Sequence, residues 1–238
     1  MRRSAGRCPA FLEGLTAEFF GQVILVNGNS WPYPAVEPRQ YRLRLLNGSN
    51  VRFYRLSTDG SGPFPVAQTA TEDGFLYQLL PLDALLEISP GERVDLVADF
   101  RGLRGSQCTL TNGALTPFPD ETPVTPPEDM ILQPALGPEG ARVAIAGHIA
   151  QGPVRGRRAP ARLLLLQETD SFGRSRPLLG TVEQGEPTLS NPTTEDPAPK
   201  TAEIWGVFDT TPDTYPIHLR LVRFQMLDRA PFTSDQDP

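Results

Sequence analysis

Proline interrupts this chain at 26 positions and glycine at 21, within 238 residues. A proline inside a helix removes a backbone hydrogen bond and clashes with the turn before it. Long helices are therefore excluded along most of the chain. Between the breaks lie short segments rich in Val, Leu, Phe, Tyr and Thr, which suit a pleated surface. Short apolar runs punctuated by turn residues predict an all-β sandwich or barrel. The length allows one large or two small domains with a real core.

The run "QVILVNG" (residues 22–28) reads as an apolar strand ending on Asn27-Gly28, a tight-turn dipeptide. In "QYRLRLLNGSN" (40–50) the alternation sets Tyr41, Leu43 and Leu45 on one face and Arg42 and Arg44 on the other. Asn47-Gly48 and then "VRFYRLS" (51–57) predict a hairpin or a sheet corner. Pro90-Gly91 turns the chain into "ERVDLVADF", with Val94, Leu96, Ala98 and Phe100 facing inward. "QCTLTN" follows as a further strand, so at least six strands fit between residues 22 and 112. The segment "TPFPDETPVTPPE" (116–128) is too rich in proline for a central sheet and is expected to cross a surface or begin a linker. A second set of strands begins at "RLLLLQE" (162–168) and continues through "TAEIWGVFDTT". It ends in "TYPIHLRLVRFQMLDRAPF" (214–232), which also reads as a strand. Three or four strands are few for an independent sandwich. This second unit is expected to lean on the first, on another copy in a homo-oligomer, or on a partner chain that completes it.

The net charge of −6 argues against nucleic acid or an anionic membrane as the main partner. The basic cluster "VRGRRAPAR" (154–162) reads as a connecting loop. No run approaches the roughly 18 apolar residues of a membrane span. The twin arginine at the start lacks the apolar run of a signal peptide, which makes a soluble chain, cytoplasmic by default, the expectation. Cys8 and Cys108 lie a hundred positions apart and read as free thiols. G-x-S-x-G does not occur, and "DGSGP" is a turn rather than a nucleophile elbow or a phosphate loop. Asp59, Asp73 and Glu92 invite an acid-base reading, but Asp73 reads best as a turn former and Glu92 with Arg93 as a local ion pair. Trp31 and Trp205 read as packing residues, and His148 as a solvated loop residue.

Three stretches carry a resemblance. "EFFGQVILVNGNSWPYPAVEPRQYRLRLLNGSNVRFYRL" (18–56) resembles the middle domain of bacterial multicopper oxidases, the laccase, spore-coat and bilirubin-oxidase-like group. "LEISPGERVDLVADF" (86–100) is similar to a later part of that domain. The stretch 201–232 is similar to the entry into the third domain, which in the family carries an H-P-I-H-L-H run. The resemblance implies a cupredoxin-like Greek-key sandwich, with a second, incomplete unit of the same kind. It divides the chain into an N-terminal tail (1–17), a cupredoxin-like domain (18–140), a linker (141–160) and a partial cupredoxin-like domain (161–238).

Family members use a type 1 copper and a trinuclear copper cluster to oxidise phenols or metal ions and reduce dioxygen. The type 1 copper needs a thiolate and two imidazoles. On a strand, residues two apart share a face, so an H-x-H pair can address neighbouring metals. The three histidines of the family run fall here on Tyr215, His218 and Arg220, so only His218 is retained as a candidate metal ligand. A guanidinium has no lone pair for a metal and keeps its proton. Copper is thus implied by the family alone, and no full set of ligands is expected. The expected role is that of a truncated, degenerate laccase-like homologue, unable to perform the four-copper reaction and acting as a binding or scaffold module. The alternatives are residual copper-dependent oxidation, or a hydrolase or small-ligand binder on the same sandwich.

Overall fold

The computed structural model describes residues 19–60, 65–72, 74–81, 86–119, 122–136, 157–169, 175–182, 192–193, 195–211, 214–220, 222 and 224–232. Regular structure among them is entirely strand. Asn27 (φ 50°) and Gly28 (φ 82°) form a turn joining β1 (Leu25–Val26) to β2 (Asn29–Ser30). Both turn residues need positive φ, which asparagine and glycine tolerate. The strand expected over 22–28 shrinks to this two-residue ribbon, because only Ile24 is buried while Val23 and Leu25 face solvent. Next come β3 (Ala35–Val36), β4 (Gln40–Leu46) and β5 (Tyr54–Gly60).

β4 and β5 do not form a hairpin. Asn47, 4% exposed, turns the chain from one sheet into the other: its amide donates to the carbonyls of Arg52 (2.8 Å) and Ile88 (3.0 Å), and its Oδ1 accepts the Ser49 N–H (3.0 Å). Of the two sequence readings, the sheet corner holds. β6 (Val66–Thr71), β7 (Gly74–Pro81), β8 (Leu86–Ile88), β9 (Arg93–Asp99) and β10 (Cys108–Asn112) follow. β11 (Met130–Leu132) pairs with β10, and β12 (Ala135–Leu136) lies parallel to β3. One four-stranded sheet runs β4-β9-β6-β7 and the other β11-β10-β5-β8, so chain neighbours repeatedly lie in different sheets. That is the Greek-key habit.

The sheets meet over a core with members from both. Val94 (2% exposed), Leu96 (5%), Ala98 (0%) and Phe100 (3%) come from β9 and its end, as the alternation predicts. They pack with Leu86, Ile88, Leu56 and Cys108 from the opposite sheet. The described residues of the 116–128 segment stay outside both sheets, with a Thr116–Thr122 bridge and a hydrogen bond from the Glu128 N–H to the Thr125 carbonyl (2.8 Å) within it. It is fastened to the sandwich by Phe118, stacked on Phe53 with centroids 4.6 Å apart. Glu128 adds an ion pair at 3.1 Å to Arg52, a guanidinium only 3% exposed that also donates to Thr116 and to the Gly21 carbonyl.

A third sheet follows: β13 (Arg157–Thr169), β14 (Ser175–Thr181) and β15 (Glu203–Asp209), in the order β14-β13-β15. β13 pairs antiparallel with β14 and parallel with β15. The strand expected over 214–232 is absent, since no described residue there pairs with a neighbouring strand. No helix of the described residues is long and apolar enough to cross a membrane.

Candidate functional site

The floor of the site is built where the β6–β7 turn meets the start of β9. Glu72 occupies φ 44°, uncommon for a residue with a side chain. Its N–H donates to the Arg93 carbonyl (2.8 Å), and its Oε1 accepts the Arg93 N–H (3.1 Å). Its Oε2 pairs with the Arg93 guanidinium at 3.1 Å. Beside it, Pro90 and Gly91 turn the chain from β8 to β9. Gly91 has φ +80° and donates its N–H to the Asn47 carbonyl at 2.8 Å.

His218 rests on this floor. Its Nε2 lies 2.9 Å from the Pro90 carbonyl oxygen. A carbonyl only accepts, so Nε2 carries the proton. Nδ1 lies 3.5 Å from Glu72 Oε1, and the side chain is 18% exposed. A Cβ on residue 91 would come within 3.2 Å of Nε2. Glycine is therefore required there twice, for the backbone angle and for the approach of the ring. The histidine braces the 214–220 segment against the first sandwich.

The two flanking positions do not join it in one face. Tyr215 is half-buried, and its N–H lies 3.4 Å from Asp209 Oδ2. Asp209 closes β15 by accepting from the Thr211 N–H (3.1 Å) and hydroxyl (2.7 Å). Arg220 is exposed. The period-two argument that put His218 and Arg220 side by side requires strand geometry, and the segment does not have it.

Copper chemistry needs converging imidazole and thiolate donors. Among the described residues, no three His, Cys, Asp or Glu side chains come together to hold a metal. One nitrogen of His218 is bonded to a carbonyl and the other faces a carboxylate. Cys108 is fully buried in the core, where desolvation pushes its thiol pKa upward and disfavours the thiolate. Among the described residues, the donors do not make up a type 1 or trinuclear copper set. Cys8, Asp73 and His148 lie outside the described residues.

Other expectations resolve differently. Glu92 does not pair with Arg93: its Oε2 accepts from the Ser89 N–H (2.9 Å) and hydroxyl (3.1 Å), leaving Arg93 to Glu72. Asp59 lies in β5 opposite Thr109. Trp205 donates its Nε1–H to Glu203 (3.0 Å), whereas the buried Nε1 of Trp31 has no partner among the described residues. An open groove of about 280 Å³ beside the site is lined by Arg42, Thr71, Glu72, Phe75, Arg93 and Asp95. Its charges are matched internally, Arg42 with Asp95 and Arg93 with Glu72. Glu72 and Gly91, which seat the histidine, carry no local sequence signal of that role. Only the Pro90-Gly91 turn was legible.

Two facing antiparallel sheets with Greek-key connections, followed by a smaller sheet, define a cupredoxin-type protein. Comparison places that architecture in a family. The chain is 36% identical over 222 residues to a laccase of Bacillus subtilis, covering 90% of this chain and 41% of that protein. It is 33% identical over 223 residues to multicopper oxidase LPR1 homolog 1 of Oryza sativa, covering 87% and 36%. The McoA multicopper oxidase structure from Aquifex aeolicus superposes with a TM-score of 0.54 at 26% identity, over 64% of this chain and 33% of that one. No protein-family model matches. The chain is a partial member of the multicopper oxidase family, and it spans about two fifths of the length of these laccase relatives.

Proposed function

We propose that this chain is a non-catalytic binding or scaffold module on the multicopper-oxidase fold, and that it does not by itself carry out four-copper oxidation of phenols with dioxygen. The observation that carries the reading is the seating of His218. The one imidazole retained from the family run serves as a brace, its Nε2–H bonded to the Pro90 carbonyl at 2.9 Å and its Nδ1 facing Glu72. Tyr215 and Arg220 supply no imidazole at the other two positions. Binding a cation through Nδ1 would place it beside Glu72, but with no second nitrogen or sulfur donor among the described residues to complete a redox site.

The test is copper loading of the purified chain, with metal analysis, visible absorption and oxygen uptake in the presence of a phenol. The expected result is substoichiometric copper, no blue thiolate-to-copper band and no oxygen consumption. A full complement of bound copper with phenol-dependent oxygen uptake would overturn the proposal. Should weak uptake appear, His218→Ala decides whether this site carries it.

A further inference from the structure

The dipeptide Asn-Gly occurs at residues 27–28, 47–48 and 112–113. In such a pair the glycine nitrogen, with no side chain to hinder it, can attack the carbonyl carbon of the asparagine amide. The fold treats the three pairs differently. Asn47 is 4% exposed, and its amide is held by the carbonyls of Arg52 and Ile88 and by the Ser49 N–H. Its main-chain carbonyl accepts the Gly91 N–H at 2.8 Å. Asn112 is 3% exposed, and its Oδ1 accepts the N–H groups of Arg55 and Ala114, each at 3.0 Å. Here the attacking nitrogen is engaged as well, since the Gly113 N–H donates to the Arg55 carbonyl at 2.9 Å. Asn27 and Gly28 are both exposed. The Asn27 main-chain carbonyl accepts from the Asn29 side chain at 3.3 Å. Among the described residues, no hydrogen bond holds the Asn27 amide or the Gly28 N–H.

We propose that Asn27-Gly28 is a site of spontaneous deamidation, and that the fold shields the other two pairs. The Gly28 nitrogen bonds to Asn27 Cγ as the Cγ–Nδ2 bond breaks, and the Gly28 proton leaves with Nδ2 as ammonia. Water then opens the resulting succinimide ring. Breaking its bond from nitrogen to Cγ yields aspartate. Breaking the bond from nitrogen to the main-chain carbonyl carbon yields isoaspartate, with the chain rerouted through Cβ and Cγ. Attack requires Asn27 to rotate until Cγ meets the Gly28 nitrogen, and the ribbon holding this turn resists little. It has only the pairs Leu25↔Ser30 and Val26↔Asn29, and a two-stranded ribbon is marginal by itself. Asn47 and Asn112 must first break their bonds in buried sites, so they convert only from opened states. Conversion adds a negative charge at residue 27, and isoaspartate puts an extra carbon into a loop whose geometry suits two residues. The inference is independent of whether the chain binds copper.

Peptide mapping by mass spectrometry tests it on the 238-residue chain, held at mildly alkaline pH in native buffer and, in parallel, in urea. Circular dichroism checks that the native sample stays folded throughout. In native buffer Asn27 should convert about tenfold or more faster than Asn47 and Asn112. Both aspartate and isoaspartate should appear at position 27. In urea the three dipeptides lose their surroundings, and their rates should converge. Asn47 or Asn112 converting as fast as Asn27 in the folded protein would overturn the proposal. So would an Asn27 that stays intact there, a product without isoaspartate, or a rate margin that survives in urea.

Discussion

Gly91→Ala tests the seating of His218 directly. An L-residue at φ +80° costs about 1–2 kcal/mol in backbone strain. The added methyl would lie 3.2 Å from Nε2 and 3.6 Å from Cε1, so the ring has to shift. That shift weakens the 2.9 Å bond to the Pro90 carbonyl, a contribution of about 1 kcal/mol. The total expected loss is about 2–3 kcal/mol. In a His218→Ala background the crowding is gone and only strain remains, so the same change should cost about 1–2 kcal/mol. The difference, about 1 kcal/mol, is the coupling energy of a double-mutant cycle between two residues far apart in sequence. Urea unfolding followed by circular dichroism on the four proteins measures it. Equal costs in both backgrounds would show that the imidazole does not rest on Gly91, and the brace would be refuted.

Three further outcomes are expected. Asn47→Ala strips the partners from the Ile88 and Arg52 carbonyls at the sheet corner. It should cost about 2–4 kcal/mol in urea unfolding, and a loss within error of zero would contradict the corner's role. Asp99 is held below its ordinary value near 3.8, first by the hydrogen bond from the Arg101 guanidinium. Its stabilisation is therefore full above that value and fades as pH falls through the lower, folded one. The stability gap between the parent and Asp99→Asn should then be present at neutral pH and close in acid; a gap that ignores pH refutes this. Cys108 is 0% exposed and its thiol pKa is raised by burial. Alkylation of Cys108 should be slow in the native protein and fast in urea, and equal rates would contradict its place in the core.

The β-class, the inward face of β9 and the exclusion of residues 116–128 from the sheets were legible because each is written within its own segment. Alternation along Val94, Leu96, Ala98 and Phe100 specifies a buried face wherever that strand is placed. Asn27-Gly28 makes the tight turn its dipeptide predicts, whereas Asn47-Gly48 makes the sheet corner, one of its two readings. The same two residue types make a hairpin or a corner according to whether the asparagine amide finds distant carbonyls, here including Ile88, 41 positions away. The stretch 214–232 failed in the opposite direction. It has strand periodicity, but periodicity specifies a strand only when a neighbour offers hydrogen bonds, and none of the described residues does.

Local pattern thus determined the class of fold, the core face of its central strand and the family resemblance. Tertiary structure alone decided what His218 does, because its partner Pro90 lies 128 residues away and its role depends on the bond each ring nitrogen makes. An imidazole offers the same two nitrogens to a metal, a carbonyl or a carboxylate. Which of them it meets is set by folding that brings the β8–β9 turn and Glu72 beneath it, and that proximity is written in no single segment.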